Sequence, residues 1–264
     1  TINGGSGDDL LVGSPVGDFI NGQSGDDTIS GLGGDDLLFG GSGNDSISGG
    51  DGEDQLSGQA GNDDLFGNAG IDSLFGGDGS DEINWVSGDG SDVVQGGDGS
   101  DVLDVDYTGG ADTVTVDSVP SSGTDFLRAQ VDDGTDQLDV AGIEDIDIDL
   151  AAGADDITVK DLSSTEVGLI QIDLGVGDTA NDAAHLIGAD GQSYSLSASL
   201  DAVTNEVHIN GLASDVQIDN AESGDTLELI GGDRDDSLTA SADLSGTITV
   251  ELRGEGGDDV LSGG

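Results

Sequence analysis

The chain has no cysteine and no methionine, only two prolines, and only four basic residues among 264. Without cysteine there is no disulfide staple and no thiolate metal site, so oxygen ligands are the stabilising chemistry left. The four Lys and Arg face 57 Asp and Glu, a net charge of −53. Such an excess repels nucleic acid phosphates and anionic lipid headgroups and makes cations the expected partners. No apolar run approaches the ~18 residues that span a bilayer, and Thr1 does not open a signal peptide. The missing methionine makes the chain read as a piece of a longer product. One Trp, two Tyr and five Phe, with 62 Leu, Ile and Val, provide for a thin continuous core; a large compact enzyme core is not expected.

Glycine and order are what the sequence has instead. Nine contiguous nine-residue units run from Gly4 to Asn84, beginning GGSGDDLLV, GSPVGDFIN, GQSGDDTIS and GLGGDDLLF. Trp85 and Val86 break the frame, and SGDGSDVVQ and GGDGSDVLD restore it over residues 87–104. In all eleven units the sixth place is Asp and the eighth is Leu, Ile or Val; the fourth is Gly in every unit but the second, where Val16 stands. Alternation of side chains sends the eighth place inward and the seventh and ninth outward, and only the last three places read as strand. A strand so short cannot stand alone.

This register resembles GGxGxDxUx, the nonapeptide of the hemolysin-type calcium-binding proteins, the RTX family. The resemblance implies an all-β fold, a right-handed parallel β-roll with two nonapeptides per turn and Ca²⁺ held between successive loops. Stacked at ~4.8 Å, Leu11, Ile29, Ile47, Leu65 and Ile83 form one inward column and Ile20, Leu38, Leu56, Leu74 and Val94 the facing one. The same stacking sets Asp9, Asp27, Asp45, Asp63 and Asp81 above one another on one edge, and Asp18, Asp36, Asp54, Asp72 and Asp92 on the other. Two carboxylates ~5 Å apart at an effective dielectric of ~20 repel by on the order of 3 kcal/mol, which a divalent cation between loops reverses. Ca²⁺ suits flexible loop oxygens better than Mg²⁺, which demands near-ideal octahedral geometry.

The resemblance assigns the ligands of these multiple Ca²⁺ ions as the sixth-place carboxylates, those named above with Asp101, Asp236 and Asp259, together with loop carbonyls. The glycines at the first and fourth places supply the loop: Gly4 and Gly7, Gly22 and Gly25, Gly31 and Gly34, Gly40 and Gly43, Gly49 and Gly52, Gly58 and Gly61, Gly67 and Gly70, Gly76 and Gly79. The second unit departs through Pro15 and Val16, which weakens the case at Asp18.

From Val105 to about Ile230 the nonapeptide dissolves while short alternating strands continue, among them Thr113–Asp117, Ile143–Leu150, Ile157–Lys160, Ile170–Leu174, Val207–Asn210, Val216–Asp219 and Thr226–Ile230. Gly110-Ala-Asp112 and Gly153-Ala-Asp155 read as remnants of the loop. Units of the nonapeptide type return as GGDRDDSLT and GEGGDDVLS at residues 231–239 and 254–262. The expected organisation is a calcium-binding β-roll over 1–104, a less regular parallel β-helix over 105–230 and a return to RTX-type repeats over 231–264, joined as one elongated solenoid. Residues 143–252 resemble the non-repetitive β-helical stretches of large RTX-family exoproteins.

Catalysis is not expected. His185 and His208 are the two histidines, His208 reads as a surface residue of an alternating strand, and no GxSxG elbow is present. Arg128, Lys160, Arg234 and Arg253 are too few to line a groove for an anionic polysaccharide. Trp85 reads as a wedge that accommodates the insertion rather than as a sugar platform.

Two functions fit. The first is a calcium-ordered structural segment of a secreted or cell-surface bacterial protein, an adhesin, fibre or coat. The second is a calcium-dependent folding and secretion module, of the type I secretion kind, for an enzyme or toxin lying outside these residues. The acidic chain is expected to be largely unfolded without Ca²⁺. Phe19, Leu37 and Phe39 point outward together as a candidate contact surface. Thr1-Ile2-Asn3 has the form of the last three places of a unit and Gly263-Gly264 that of the first two. Both ends therefore read as interior to an array, either covalently longer or stacked end to end on copies of itself as a filament.

Overall fold

A computed structural model describes the chain except for residues 109, 121–124, 132–135, 161–166, 176–179, 189–194, 201–205, 213–214, 245 and 264; side chains are also not described at 117–120, 125–131, 136, 195, 200 and 215. No α-helix occurs among the described residues, and no helix is long and apolar enough to cross a membrane. Gly264, one of the end residues singled out above, and the side chain of Arg128 lie outside the description.

The chain divides into two compact units, residues 1–106 with 134–146, and residues 107–133 with 147–264. The first unit is built from β1 (Ile2–Ser6), β2 (Leu10–Ser14), β3 (Phe19–Ser24), β4 (Thr28–Gly33), β5 (Leu37–Ser42), β6 (Ser46–Gly52), β7 (Gln55–Ala60), β8 (Asp64–Gly70), β9 (Ser73–Gly79), β10 (Glu82–Val86), β11 (Val93–Gly99) and β12 (Val102–Asp106). Odd strands form one parallel sheet in the order β1-β3-β5-β7-β9-β11, even strands the other, β2-β4-β6-β8-β10-β12. Each strand thus pairs with the strand two units away, so that two nonapeptides make one turn.

The eighth-place residues fill the interior as expected. Ile20, Leu38, Leu56, Leu74 and Val94 stack in one sheet, and Leu11, Ile29, Ile47, Leu65, Ile83 and Leu103 in the other; all are buried. Each contributes roughly 1.5–3 kcal/mol through removal of its side chain from water. The strands are longer than the three residues expected. They run on through the first three places of the next unit, because the first-place glycine points inward beside the apolar column and its backbone keeps the ladder. A Cβ at Gly31 would collide with the Asp36 carboxylate and lie 2.6 Å from the Gly49 carbonyl oxygen, so only glycine fits there.

The outward surfaces of the two sheets differ. Across the odd sheet the ninth-place row reads Asn3, Asn21, Phe39, Ser57, Phe75, Gln95, and the seventh-place row Phe19, Leu37, Gln55, Ser73, Val93. These two rows are uncharged from β1 to β11, but Asp139, further along the chain, stands in register with Val93, and the exposed Asp78 and Asp98 pair at the third place between β9 and β11. The even sheet carries Asp64 and Glu82 in one row and Asp104 in the other.

Trp85 occupies the inward first place, is 2% exposed, stands in register with Val105 and donates its Nε1–H to the Gly90 carbonyl at 3.0 Å. The two-residue insertion is taken up by the turn after it, in which Asp89 closes onto Val86. Trp85 is a wedge in the core.

The second unit contains β13 (Thr113–Pro120) and β14 (Asp125–Val131); β15 (Asp136–Ala141), next in the chain, pairs with β11 in the first unit. Then follow β16 (Asp145–Asp149), β17 (Asp156–Lys160), β18 (Leu169–Asp173), β19 (Ala183–Ile187), β20 (Ser195–Leu200), β21 (Val207–Asn210), β22 (Asp215–Asp219), β23 (Thr226–Gly232), β24 (Ser237–Ala240), β25 (Thr249–Glu255) and β26 (Val260–Ser262). Their sheets run β14-β13-β17-β19-β23-β25 and β16-β18-β22-β21-β20-β24-β26. Among the described pairs, β13–β17, β17–β19, β19–β23, β23–β25, β18–β22, β20–β24 and β24–β26 are parallel, and β13–β14, β20–β21 and β21–β22 are antiparallel. Here the inward place after the first apolar one is also apolar: Val114 and Val116, Ile157 and Val159, Ala184 and Leu186, Leu227 and Leu229 are all buried. The core is two side chains deep per strand, where the roll has one and a glycine.

Candidate metal centre

The sixth-place aspartates from Asp27 to Asp101 point inward and are buried, Asp63 and Asp72 completely, while Asp9 and Asp18 at the first coil are half-buried. Their position follows from the strand alternation that buries the eighth place two residues later. Each carboxylate reaches the preceding coil. The backbone N–H groups of Asp9, Asp27, Asp45 and Asp63 donate to Oδ1 of Asp27, Asp45, Asp63 and Asp81 at 2.7–2.9 Å. On the other edge Asp18, Asp36, Asp54 and Asp72 donate to Asp36, Asp54, Asp72 and Asp92 at 2.6–2.8 Å, and Asp81 donates to Asp101 at 2.9 Å. Asp101 in turn donates to Oε2 of Glu144, which takes the place of an aspartate on the next coil.

In Asp27, Asp36, Asp45, Asp54, Asp63, Asp72, Asp81 and Asp101 Oδ1 is therefore used and Oδ2 is not. Oδ2 of Asp9, Asp27, Asp36, Asp45, Asp54, Asp63, Asp72, Asp81 and Asp101 is buried without a hydrogen-bond partner. A buried charged oxygen left bare is costly and demands a proton or a cation. Burial accordingly raises the carboxyl pKa of Asp36, Asp45, Asp54, Asp81 and Asp101, against the hydrogen bond that each accepts from the preceding coil. It pushes Asp63 and Asp72 up to about 7.

Asp18 differs. Ser14 Oγ donates to its Oδ2 at 2.7 Å, and this bond is the main cause that lowers the Asp18 pKa. In the unit where Pro15 and Val16 replace the usual loop, a hydroxyl satisfies the oxygen that the other units leave bare.

A second ladder, which the sequence pattern does not announce, lies at the fifth place. The N–H groups of Asp26, Asn44, Asn62 and Ser80 donate to the side-chain oxygens of Asp8, Asp26, Asn44 and Asn62 on the preceding coil, and Glu53 donates to Asp35. Adjacent backbone amides thus face opposite directions, the fifth toward the previous coil and the sixth toward the next. The fourth-place glycines permit this turn: Gly43 has φ +124°, and a Cβ on it would run into the Gly25 carbonyl.

The aspartate ladder continues where the nonapeptide has dissolved. Asp112 donates to Asp155, Asp155 to Asp182 and Asp182 to Asp225 at 2.8–3.1 Å, and all four are buried. The loop remnants at Asp112 and Asp155 pointed to the first two. The spacings of 43, 27 and 43 residues hid the others. At the returning units Asp236 donates to Asp259 Oδ1 at 3.0 Å, and the first-place glycines Gly231 and Gly254 lie against those two carboxylates as in the roll.

Among the described residues no three His, Cys, Asp or Glu side chains converge as a metal-binding group. An ion held by these carboxylates would complete its shell with loop carbonyls, a donor set of hard oxygens that suits Ca²⁺. The residues fit the cation: the buried, bare Oδ2 atoms of the sixth-place aspartates would hold it, and it would supply the positive charge against which the ladder stacks.

The two histidines serve elsewhere. His185 Nδ1 lies 2.7 Å from Glu228 Oε2 and its Nε2 3.3 Å from Asp156, while Arg253 reaches the other Glu228 oxygen at 2.6 Å. His208 faces outward on β21, 3.2 Å from Glu206. Of the candidate contact residues, Phe19 and Leu37 are paired in register and the rings of Phe19 and Phe39 lie 5.7 Å apart.

No curated protein matches the chain. The family model of the RTX calcium-binding nonapeptide repeat matches residues 1–20, 12–47, 21–56, 30–65, 57–84, 86–114 and 251–264. These matches cover the units whose aspartates form the roll's ladder and the last unit at Asp259, and with that geometry they place the chain among the proteins built on RTX hemolysin-type calcium-binding repeats.

Proposed function

We propose that this chain is a calcium-ordered structural segment of a secreted or cell-surface bacterial protein of the adhesin, fibre or coat type. The observation that carries the reading is the row of buried carboxylates, among which Asp27, Asp36, Asp45, Asp54, Asp63, Asp72, Asp81 and Asp101 have Oδ1 tied to the neighbouring coil and Oδ2 bare. Such a row opposes its own stacking at neutral pH and favours it once a cation is bound. Family membership supports the same reading, since RTX repeats are typical of secreted bacterial proteins. The segment orders and stiffens rather than catalyses: its two histidines are engaged by carboxylates on outward faces, and its interior is filled by apolar side chains.

Titration with CaCl₂ into chelated protein, followed by circular dichroism, tests this. A cooperative gain of β signal with Ca²⁺, absent or much weaker with equal Mg²⁺, is expected. A spectrum unchanged by either ion or by chelator at low salt overturns the reading.

A further inference from the structure

The carboxylate ladder of the first unit does not stop at the last nonapeptide of the roll. Beyond residues 96–104 the next coil is made by Val140-Ala-Gly-Ile-Glu144-Asp-Ile146, in which Val140 and Ala141 stand in register with Val94 and Gln95. Gly142 thereby falls at the first place, beside Gly96. The N–H of Asp145 donates to the Asp101 carbonyl at 3.2 Å, as the seventh-place N–H of Val102 donates to the Asp81 carbonyl at 2.9 Å, so Glu144 occupies the sixth place. We propose that Glu144 is a metal ligand, and that with Asp101 and the Gly142 carbonyl it forms a calcium site at the step where the regular repeat ends. The proposal rests on the calcium-ordered reading and adds to it a ligand that belongs to no nonapeptide.

The contacts that define the interior steps recur here. The N–H of Asp101 donates to Glu144 Oε2 at 2.8 Å, as that of Asp81 donates to Asp101 Oδ1 at 2.9 Å. A Cβ on Gly96 would strike both Asp101 Oδ2 and the Gly142 carbonyl oxygen, as one on Gly76 would strike Asp81 Oδ2 and the Gly96 carbonyl oxygen. The two oxygens therefore border one small space that only glycine leaves open. Asp101 is 1% exposed, and its Oδ2, which faces that space, accepts no hydrogen bond. Burial raises the Asp101 carboxyl pKa, and the charges of Asp81 and Glu144 add to the rise. A buried bare oxygen, a carbonyl and a second carboxylate are hard donors gathered at one step, and a divalent cation satisfies them.

Chain length explains the change of residue. From first place to sixth a nonapeptide uses six residues, Gly96 to Asp101, whereas this coil uses three, Gly142 to Glu144. The buried Ile143 pins the short turn into the core. With fewer residues to carry the acid toward the preceding coil, the extra methylene of glutamate makes the bond that aspartate makes from a full loop. The same shortening removes three of the four places between the glycine and the acid, and their carbonyls with them. Fewer protein oxygens face an ion here than at an interior step, so water completes more of its shell and the ion is held more weakly. This site is the last to fill.

Calorimetric titration of the chelated chain with CaCl₂, with circular dichroism of each sample, tests the proposal. Glu144→Gln keeps an accepting oxygen for the Asp101 N–H and loses the charge. It is expected to weaken the weakest site of the wild type at least ~10-fold, so that one ion fewer is bound, while the stronger sites and the calcium-induced spectrum are unchanged. Asp101→Asn is expected to lose the same ion, and the double variant no more than either. Glu82→Gln, an exposed acid on the even sheet, removes equal charge and is expected to leave every site unaltered. A Glu144→Gln chain that binds as the wild type does, or a double variant that loses two ions, overturns the assignment of Glu144 and leaves the calcium reading standing. Equal loss in Glu82→Gln overturns it as an effect of net charge, and loss of the calcium-induced spectrum in Glu144→Gln overturns it as an effect on the fold. A wild-type chain that binds no Ca²⁺ overturns both.

Discussion

The backbone N–H of Asp45 donates to Oδ1 of Asp63 at 2.7 Å across the step between coils, and Oδ2 of Asp63 is left buried and bare. The same side chain therefore holds two coils together and opposes their approach. Asp63→Asn separates these roles, because the amide keeps the accepting oxygen and loses the charge. The chelated protein should gain about 1–3 kcal/mol of stability in thermal melts. Its calcium affinity, measured by calorimetry, should fall at least ~10-fold. Asp18→Asn should change calcium binding much less, because Ser14 already serves Asp18 Oδ2. Equal losses at the two positions would count against the bare oxygen as the ion's anchor.

Protons and Ca²⁺ compete for the same oxygens, and this fixes the direction of the pH response. The carboxyls of Asp63 and Asp72 sit at about 7 in the folded chain, above the ordinary value of 3.8. For an acid whose folded pKa is raised, the stabilisation is complete below the unfolded value and is lost as pH rises through the folded one. Without calcium the roll should therefore be more stable at pH 5 than at pH 8, and apparent calcium affinity should fall on acidification across that range. Melting of chelated protein between these pH values checks this; stability that increases toward pH 8 would contradict it.

Leu32 holds a left-handed backbone, φ +81°, at a second place that is glycine in many other units, and its side chain is 48% exposed. A non-glycine residue there costs roughly 1–2 kcal/mol, against under about 1 kcal/mol of added chain entropy for glycine. Leu32→Gly should stabilise the calcium-bound roll by about 0.5–1 kcal/mol in denaturant titration. Gly31→Ala, one residue earlier, should do the opposite, since its Cβ would strike the Asp36 carboxylate.

These contrasts also show what the sequence made legible. The eighth-place columns and sixth-place aspartates were readable because one residue class recurs at one spacing. The role of Trp85 was readable because it breaks that spacing with an apolar residue. The strand extensions through places one to three were not, since glycine signals a strand end and here preserves the ladder by leaving room for a carboxylate. The fifth-place ladder escaped because Asp8, Asn44, Asn62 and Glu53 differ in type while the geometry requires only a short oxygen-bearing chain or a backbone amide. Asp182 and Asp225 escaped because irregular loops between coils erase the period while the stacking of coils preserves the contact.

The difference in core width between the units leads to a last expectation, narrower than the calcium-dependent folding of the whole chain that composition suggests. In the roll each strand buries one apolar side chain beside a glycine, so a row of bare carboxylates faces little opposing hydrophobic gain. In the second unit Ile157 with Val159, Ala184 with Leu186 and Leu227 with Leu229 bury two per strand, and the extra side chain adds roughly 1–3 kcal/mol each time. The ion pair of Arg253 with the buried Glu228 adds a contact that calcium does not touch. Removal of calcium should therefore melt the first unit and leave the strands β17, β19 and β23 in place. Hydrogen exchange in chelator reads this strand by strand. Amides of Leu38, Leu56 and Leu65 should exchange at least ~100-fold faster than in calcium, while those of Val159, Leu186 and Leu229 change by less than ~10-fold. Uniform loss of protection across both sets would show that the wider core cannot stand without the ion.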